Sequence, residues 1–362
     1  MTPDQAFEQE SHGGNGSAEA DQESRQRVRC RFCNKLNTVF SEEHEAKKDK
    51  HDKPKKPACR RCRLPLSGKA HRKWSYVNAD AYIHPLDRQA LQALRAIPGV
   101  DMIIGKLIGL TIERMYKVLS KAASVRVTRE QYAHLDAKLD IVCQTLNLPK
   151  PELYVSLTNE FGGLAINAFT TGVEAPFIVL YSGLVERLSD EELLAVLAHE
   201  VGHIHCQHLL YRTAAVVLLT LLFTALGSTP LGAILNTIGI PIRVALLMWM
   251  HKSELSSDRT ALMVVQDERV VMSALTKLAG GNLNDELSLD AFIKQAREFD
   301  KAYEEDFLDK FWTLVLASQS SHPFPVWRIS EILKWTEDDS ALGYHQLVAQ
   351  EGRVEAPVAA KA

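Results

Sequence analysis

Two histidines and a glutamate lie close together in the segment His199-Glu200-Val201-Gly202-His203. In a helix, a spacing of four residues places both imidazoles on one face, one turn apart, so that both can bind one zinc ion. Glu200 lies beside them and could take a proton from a water molecule that the zinc activates. The segment therefore predicts metal-assisted hydrolysis. His205 and His208 follow nearby, and we expect structural or supporting roles for both.

Two carboxylates further along the chain extend this set. Glu254, in the predicted helix HKSELSSDRTALMVVQ, can supply the third zinc ligand. Asp258 lies four residues later on the same helix face, where it can accept a hydrogen bond from the second nitrogen of a ligand histidine. Three protein ligands leave one coordination position for water, whose proton Glu200 would accept and pass to a departing amine.

Four of the six cysteines form two CxxC pairs, Cys30 with Cys33 and Cys59 with Cys62. Four thiolates at this spacing predict a structural tetrahedral zinc site. A redox role is the alternative, but a redox CxxC opens an apolar helix, which neither pair does here. The segment resembles the small zinc ribbon that precedes some thioredoxins, with a longer, highly charged connection at 41–57. The other two cysteines lie in apolar helical patterns and are expected to be buried thiols.

The net charge of −3 averages three unlike segments. Residues 1–24 carry six acidic groups and no Lys or Arg, residues 25–73 carry 17 basic and 5 acidic groups, and the remainder carries 25 basic and 34 acidic groups. The first segment lacks an apolar stretch and predicts a disordered tail without a secretory signal. The second could attract an acidic partner to the ribbon, and the alternative is a solvated loop around a folded module. Nucleic acid is not favoured, because no aromatic residues interleave with the basic run at 47–73.

The elements that must position these residues follow from hydrophobic periodicity. Residues 86–148 have the apolar spacing of helices, and Pro149 and Pro151 end the pattern. Two β-rich runs, 153–158 and 177–182, bracket the segment NAFTTG at 167–172. A helix is expected to begin near Ser189, which can cap it, and to continue through the HExxH segment.

An apolar insert lies between the two predicted metal-binding helices. Residues 213–242 carry no charge, and Ser228-Thr229-Pro230 divides the run into two apolar legs. Neither leg reaches the uninterrupted run of about 18 apolar residues expected of a membrane-spanning helix. A soluble protein, or peripheral membrane contact through residues 213–250, is therefore favoured. An inserted hairpin flanked by Arg212 and Arg243 stays open as the alternative.

Four motifs in this order resemble peptidase family M48, which includes HtpX-like enzymes: NAFTTG at 167–172, HExxH at 199–203, ExxxD at 254–258 and SHPFPVWRI at 321–329. The resemblance implies an α+β, mostly helical, gluzincin-type metallopeptidase domain with a small edge sheet and an apolar helical hairpin. It makes Glu200 the general base and acid. The zinc ligands that it implies are His199, His203 and Glu254, with Asp258 supporting a ligand histidine.

The same resemblance assigns roles outside the metal site. Asn167, Ala168 and Phe169 would form an edge strand that pairs with an extended substrate. His322 and Arg328 would each be able to stabilise the oxyanion. Two alternatives stay open, since His322 could instead cap a helix and Arg328 could instead form an ion pair with Glu254 or Asp258.

Together these features predict a zinc-dependent endopeptidase that acts on unfolded or membrane-associated proteins in quality control, with one catalytic and one structural zinc ion. The predicted location is the cytoplasm, either free or associated with the cytoplasmic face of the cell membrane. The alternative is a zinc-ribbon adaptor or a nucleic-acid-associated regulator that uses the peptidase fold as a scaffold. The predicted organisation is an acidic tail at 1–24, a ribbon with a basic loop at 25–76, a peptidase domain at 77–349 and a flexible tail at 350–362.

Overall fold

The structure of the 362-residue chain is a computed structural model. It describes residues 25–40, 57–67, 71–96, 99, 102, 112–158, 166–215, 230–281, 287–305 and 323–355. The chain divides into two compact units, 1–70 and 71–362. The predicted acidic tail at 1–24 and the predicted basic loop at 41–56 lie outside the described residues, as do Ser228, Thr229 and His322.

The smaller unit is built around an antiparallel hairpin. Strands β1 (Arg25–Arg29) and β2 (Leu36–Phe40) pair from Arg25 opposite Phe40 to Arg29 opposite Leu36. The first CxxC pair lies in the turn between these strands. The second pair lies in a turn closed by a bridge between Ala58 and Pro65. Each CxxC pair thus lies in its own tight turn, and both turns belong to one small module.

The larger unit is mostly helical and contains two small sheets, which confirms the α+β class predicted from the sequence. The strands of the larger unit are β3 (Tyr76–Val77), β4 (Val125–Arg126), β5 (Glu152–Ser156), β6 (Ala168–Thr171), β7 (Phe177–Tyr181) and β8 (Arg353–Val354). One sheet has the strand order β4-β5-β7-β6, and the other pairs β3 with β8 in parallel. The helices of the larger unit are α1 (Pro85–Arg95), α2 (Ile112–Ala123), α3 (Ala133–Leu146), α4 (Ser182–Arg187), α5 (Asp190–His205), α6 (Pro230–Val265), α7 (Glu268–Gly280), α8 (Leu289–Glu305), α9 (Pro325–Thr336) and α10 (Tyr344–Ala349).

The four-stranded sheet places the NAFTTG segment at its edge. The two predicted β-rich runs form β5 and β7, which pair in parallel, and β6 pairs antiparallel with β7. All five residues of β7 are buried, as expected for a strand with neighbours on both sides and packing on both faces. Since β6 has β7 as its neighbour in this sheet, its other edge is the one that faces away from the sheet.

Helix α5 begins where the sequence predicts. The Ser189 hydroxyl accepts a hydrogen bond from the backbone N–H of Glu192, and the Glu192 carboxylate accepts one from the backbone N–H of Ser189. This reciprocal capping box satisfies two backbone donors that the first turn would otherwise leave without partners. The residues of α5 from Glu192 to His203 are buried. The helix therefore runs through the core and presents the HExxH segment from a rigid support.

The second half of the apolar insert continues directly into the helix that contains Glu254, because α6 runs from Pro230 to Val265 without interruption. Where its side chains are described, α6 packs inside the protein. Leu246, Trp249 and Met250 join Leu94 of α1 and Ala214 in one buried apolar cluster. Among the helices that the structure describes, none is long and apolar enough to cross a membrane.

The C-terminal segment also joins the larger unit. Tyr76 pairs with Arg353, and Val77 pairs with Val354. Residues 353–354 of the predicted tail at 350–362 therefore form strand β8, and residues 356–362 lie outside the described part of the chain. The division between the two units falls at 70/71, six residues before the boundary predicted from the sequence.

Candidate active site

Three potential metal ligands meet where α5 packs against α6. His199 Nε2 lies 3.2 Å from Glu254 Oε2, and His203 Nε2 lies 3.4 Å from Glu254 Oε1. One donor atom from each of the three residues lies within 4.8 Å of the others, and all three residues are buried. Donors bound about 2.0–2.1 Å from a tetrahedral ion lie about 3.3 Å apart. The spacing and the chemistry of the three donors therefore fit a zinc ion.

A buried ion pair supports the first histidine. Asp258 Oδ1 lies 3.0 Å from His199 Nδ1, and Arg328 donates to both Asp258 oxygens at 2.5 and 2.7 Å. Burial acts to raise the pKa of Asp258, but the Arg328 charge holds it below its ordinary value. Burial acts to lower the pKa of His199, while hydrogen bonds to Asp258 and Glu254 raise it to about 9. Asp258 thus places negative charge beside His199, whereas burial and the charge of Arg212 lower the pKa of His203 well below its ordinary value.

The contacts of Arg328 correspond to one of the two alternatives left open by the sequence, the ion pair with Asp258. Its Nη1 also lies 4.0 Å from Glu254 Oε2. A second arginine, Arg212, lies in the helical residues that follow α5. Its guanidinium donates a hydrogen bond of 2.5 Å to Glu254 Oε1. The sequence indicated Arg212 only as a flank of the insert. Both arginines bring positive charge to the one carboxylate among the three candidate ligands.

Glu200 is held by the edge strand. The Thr170 hydroxyl donates to Glu200 Oε2 at 2.6 Å and lies 3.2 Å from the backbone oxygen of Glu200. Sequence reasoning missed Thr170, although the alternation along β6 contained a signal. Ala168 and Thr170 are both buried, while Phe169 and Thr171 point to the opposite face.

A cleft of about 280 Å³ opens beside these residues. Of the three residues expected to pair with a substrate, Asn167 and Ala168 line this cleft, whereas Phe169 does not and packs near the Tyr181 ring. His322 lies outside the described residues, and the two residues that follow it, Pro323 and Phe324, line the cleft. Much of the remaining wall is apolar and comes from Leu184, Ala195, Val196, Val271, Ala274, Leu275 and Leu278.

The cysteine cluster of the smaller unit forms a second candidate metal site. The sulfur atoms of Cys30 and Cys62 are 3.7 Å apart, those of Cys33 and Cys59 are 3.6 Å apart, and all four lie within 4.8 Å of one another. Four sulfurs bound about 2.3 Å from a tetrahedral ion would be about 3.8 Å apart. Hydrogen bonds from the thiols of Cys33 and Cys62 lower the pKa of Cys30, and the same contacts with Cys30 raise the pKa of Cys33 and Cys62. The spacing of the four sulfurs therefore fits zinc.

Asn37 joins the two cysteine turns and was not indicated by the sequence. Its amide donates to the sulfur of Cys59 at 3.6 Å and to the backbone oxygen of Lys35 at 2.7 Å, and its oxygen accepts from the backbone N–H of Arg60 at 2.9 Å. Asn37 is buried. Hydrogen bonds to ligand sulfurs are the kind of contact that orients thiolates around a metal ion.

Two helical histidines at HExxH spacing, a glutamate from a second helix and an adjacent carboxylate define the zinc-type metallopeptidases. A profile of peptidase family M48 matches residues 129–336. The chain is 37% identical over 281 residues to the plastoglobule-localized metallopeptidase 48, chloroplastic, of Arabidopsis thaliana, with 76% of this chain and 77% of the relative covered. It is 30% identical over 181 residues to a protease HtpX homolog of Acaryochloris marina, with 44% and 60% covered.

No solved structure matches the chain. The aligned part of the chain spans about three quarters of the length of the Arabidopsis relative and three fifths of the length of the Acaryochloris relative. The profile covers more than half of the chain, so the protein belongs to peptidase family M48 and is a metalloprotease whose substrates are proteins or peptides.

Proposed function

We propose that this protein is a zinc-dependent endopeptidase in which His199, His203 and Glu254 bind the catalytic ion and Glu200 is the general base. The observation that supports it most directly is the spacing of the three donors, two at 3.2 and 3.4 Å from the Glu254 oxygens, with Glu200 on the same helix. When bound, zinc would lower the pKa of a water molecule and polarise the carbonyl of the bond to be cleaved.

In this proposal the residues of the chain divide the remaining work. Thr170 occupies Oε2 of Glu200, so Oε1 accepts the proton of the attacking water and later delivers it to the departing amine. The outer edge of β6 pairs with the extended backbone of the substrate, alongside Asn167 and Ala168. Arg328, held by Asp258, keeps positive charge next to the site. Either Arg328 or His322 would stabilise the oxyanion that forms on the scissile carbonyl.

Glu200→Gln tests the role of the base. The amide cannot accept a proton, so we expect turnover of casein to fall by about 10²–10⁴-fold, while zinc content and melting temperature stay at wild-type values. Glu191→Gln makes the same change on the same helix, nine residues earlier, and should retain full activity. Wild-type turnover by Glu200→Gln would remove Glu200 from the mechanism.

The substrate class follows from the same edge strand. A substrate that pairs with β6 must offer an extended, unpaired backbone, which unfolded segments have and folded domains rarely expose. We therefore propose a role in the quality control of unfolded or membrane-associated proteins. One protein offered in native and in irreversibly unfolded form should be cleaved only when unfolded, and mass spectrometry should find internal peptides. Equal cleavage of both forms, or release of single terminal residues, would contradict this.

For the N-terminal part we propose a structural zinc ribbon at 25–76, followed by the peptidase domain at 77–349. The tetrahedral sulfur spacing supports the first assignment. Two zinc ions per chain are expected, with one lost in Cys30→Ser and the other in His203→Ala. The described residues of the smaller unit contain eight Arg or Lys and no Asp or Glu, which supports an acidic partner for this module.

The location is a separate proposal. A cytoplasmic protein in peripheral contact with the membrane is consistent with the packing of Leu246, Trp249 and Met250 inside the protein. The Arabidopsis relative has plastoglobules in its name, so related chains are not confined to the cytoplasm. Recovery of the intact protein in the supernatant of carbonate-washed membranes is the expected result, and retention in the washed membranes would contradict it.

A further inference from the structure

A row of buried polar side chains extends away from His203, on the side opposite to Glu254. His203 Nδ1 lies 3.0 Å from His208 Nδ1, and His208 Nε2 lies 2.9 Å from Asp87 Oδ2. His208 is 1% exposed and Asp87 is 2% exposed. Two further donors reach Asp87, since Trp249 Nε1 donates to Oδ1 at 3.0 Å and the Ser256 hydroxyl donates to Oδ2 at 2.5 Å.

The hydrogen bonds of this row can all be donated in one direction, from His203 towards Asp87. His203 Nε2 faces Glu254, so a metal ion would bind at Nε2 and the proton of the neutral ring would lie on Nδ1. That proton is donated towards His208 Nδ1, with the Ser257 hydroxyl oxygen also 3.0 Å away. His208 then has its own proton on Nε2 and donates it to Asp87. The ring N–H groups of His203 and His208 then both have an acceptor.

The two candidate ligand histidines are supported differently. His199 contacts a carboxylate directly, through Asp258. His203 has no such carboxylate among the described residues, and Asp87 reaches it only through the intervening ring of His208. Metal-binding histidines usually donate their second N–H to a group that fixes the orientation of the ring. Burial acts to raise the pKa of Asp87, but its contacts with His208, Ser256 and Trp249 hold it below the ordinary value.

We propose that His208 and Asp87 are positioning residues for the metal centre: Asp87 fixes the tautomer of His208, and His208 holds the ring of His203 with Nε2 directed at the metal. The proposal rests on the zinc site proposed above. It also gives α1 a role in the reaction, because Asp87 lies in α1 and outside the residues 129–336 that match the family profile.

Zinc affinity tests the proposal without measuring catalysis. The full-length protein is dialysed against a series of chelator-buffered zinc concentrations, and bound zinc per chain is measured by atomic emission. The binding step that disappears in His203→Ala identifies the catalytic ion. For this step we expect His208→Phe and Asp87→Ala to raise the zinc dissociation constant by about 10–100-fold.

Two variants sharpen the comparison. His208→Asn keeps an acceptor near the position of Nδ1 but loses the contact with Asp87, so its dissociation constant should lie between those of the wild type and His208→Phe. His205→Phe is the matched control, because the ring of His205 contacts the Tyr82 hydroxyl instead of His203, and it should bind zinc with wild-type affinity. Wild-type zinc affinity in folded His208→Phe and Asp87→Ala would overturn the proposal.

The wild-type protein provides a measurement that does not depend on the folding of any variant. With ¹⁵N-labelled histidine and bound zinc, NMR should show His203 protonated at Nδ1 and His208 protonated at Nε2. A His208 ring protonated at Nδ1 would overturn the proposed row of hydrogen bonds from His203 to Asp87. If His203→Ala lost no zinc, the proposed metal site itself would fail, whereas loss of zinc in His203→Ala with unchanged His208 and Asp87 variants would refute only their positioning role.

Discussion

Replacing Gly202 with alanine tests how closely α5 and α6, the two helices that carry the proposed zinc ligands, must approach each other. Gly202 lies inside the HExxH segment of α5 and faces α6. A Cβ atom at this position would lie 2.8 Å from Thr260 Oγ1, 2.9 Å from Thr260 Cβ and 3.1 Å from Ser257 Cα, whereas ordinary contacts begin at 3.4 Å. Because one of these atoms belongs to the α6 backbone, a side-chain rotation cannot relieve all of the overlap. The helices must move apart by several tenths of an ångström.

Two effects of opposite sign compete in Gly202→Ala. Helix propensity alone would raise the free energy of unfolding by about 1 kcal/mol, since glycine is the poorer helix former. Overpacking of a close-packed core costs about 1–3 kcal/mol, and overlap with backbone belongs at the upper end of that range. We therefore expect the free energy of unfolding to fall by about 2 kcal/mol, in the direction opposite to the propensity effect.

The same displacement should reach the metal centre, because Glu254 and Ser257 lie on α6 while His199 and His203 lie on α5. Metal sites require ligand distances within about 0.2 Å of their preferred values. We expect zinc affinity in Gly202→Ala to fall at least about 10-fold, the lower end of the loss expected when ligands are held poorly. Urea denaturation measures the first effect, and chelator competition measures the second.

Gly280→Ala is the matched control for this experiment. Its Cβ would lie 3.3 Å from the methyl groups of Leu287, a flexible side chain that can move, so stability and zinc affinity should both stay close to wild type. Thr260→Gly in the Gly202→Ala background removes both Thr260 atoms in the overlap and should recover part of the zinc affinity, because the 3.1 Å approach to Ser257 Cα remains. A Gly202→Ala protein that is as stable as the wild type and binds zinc equally well would refute the close approach of α5 and α6 at this residue.

Three further predictions concern contacts outside the ligand set. Thr170→Val removes the hydrogen bond to the Glu200 carboxylate, and a hydrogen bond to a charged group contributes about 1.5–3 kcal/mol. The kcat should therefore fall about 10-fold or more while KM and zinc content stay unchanged. An unchanged kcat would show that Glu200 needs no support from β6. Asn37→Ala removes the amide that contacts Cys59, so a chelator should extract the structural zinc about 10–100-fold more readily, as followed by a zinc-sensitive dye. Burial lowers the pKa of His205 from 6.5 to about 4, so its neutral form is favoured by folding, and this contribution is complete above pH 6.5 and lost as the pH falls towards 4. The wild type should lose about 3 kcal/mol more than His205→Gln over this range, whereas parallel stability curves would contradict the shift.

Local spacing explains why so much of the arrangement of the proposed metal site could be predicted from the sequence. The HExxH spacing places His199 and His203 on one helix face whatever surrounds them, and the i, i+4 spacing does the same for Glu254 and Asp258. The capping signal at Ser189 fixed the start of α5 for the same reason, since all its partners lie within one turn. These features depend only on the geometry of a single helix.

Contacts between elements could not be predicted in this way. The NAFTTG segment indicated an edge strand, but which of its side chains face the cleft depends on the register of β6 against β7. That register directs Thr170 towards Glu200 and Phe169 towards Tyr181. The sequence allowed Arg328 two roles, and only the packing of α9 beside α6 shows that it pairs with Asp258.

The row behind His203 shows this limit most clearly. Asp87 and His208 are 121 residues apart in sequence, and neither belongs to a motif that the spacing of the other would suggest. His208 lies three residues after the end of α5, where it could equally have faced solvent, and Asp87 is one of 45 acidic residues. Their contact requires α1 to pack beside α6, which the buried cluster of Leu94, Leu246 and Trp249 secures. Apolar residues of the insert that suggested a membrane segment therefore help to place Asp87, the carboxylate that we propose to position His203. A substitution in that buried cluster should alter zinc affinity even though none of its members contacts the proposed zinc ligands.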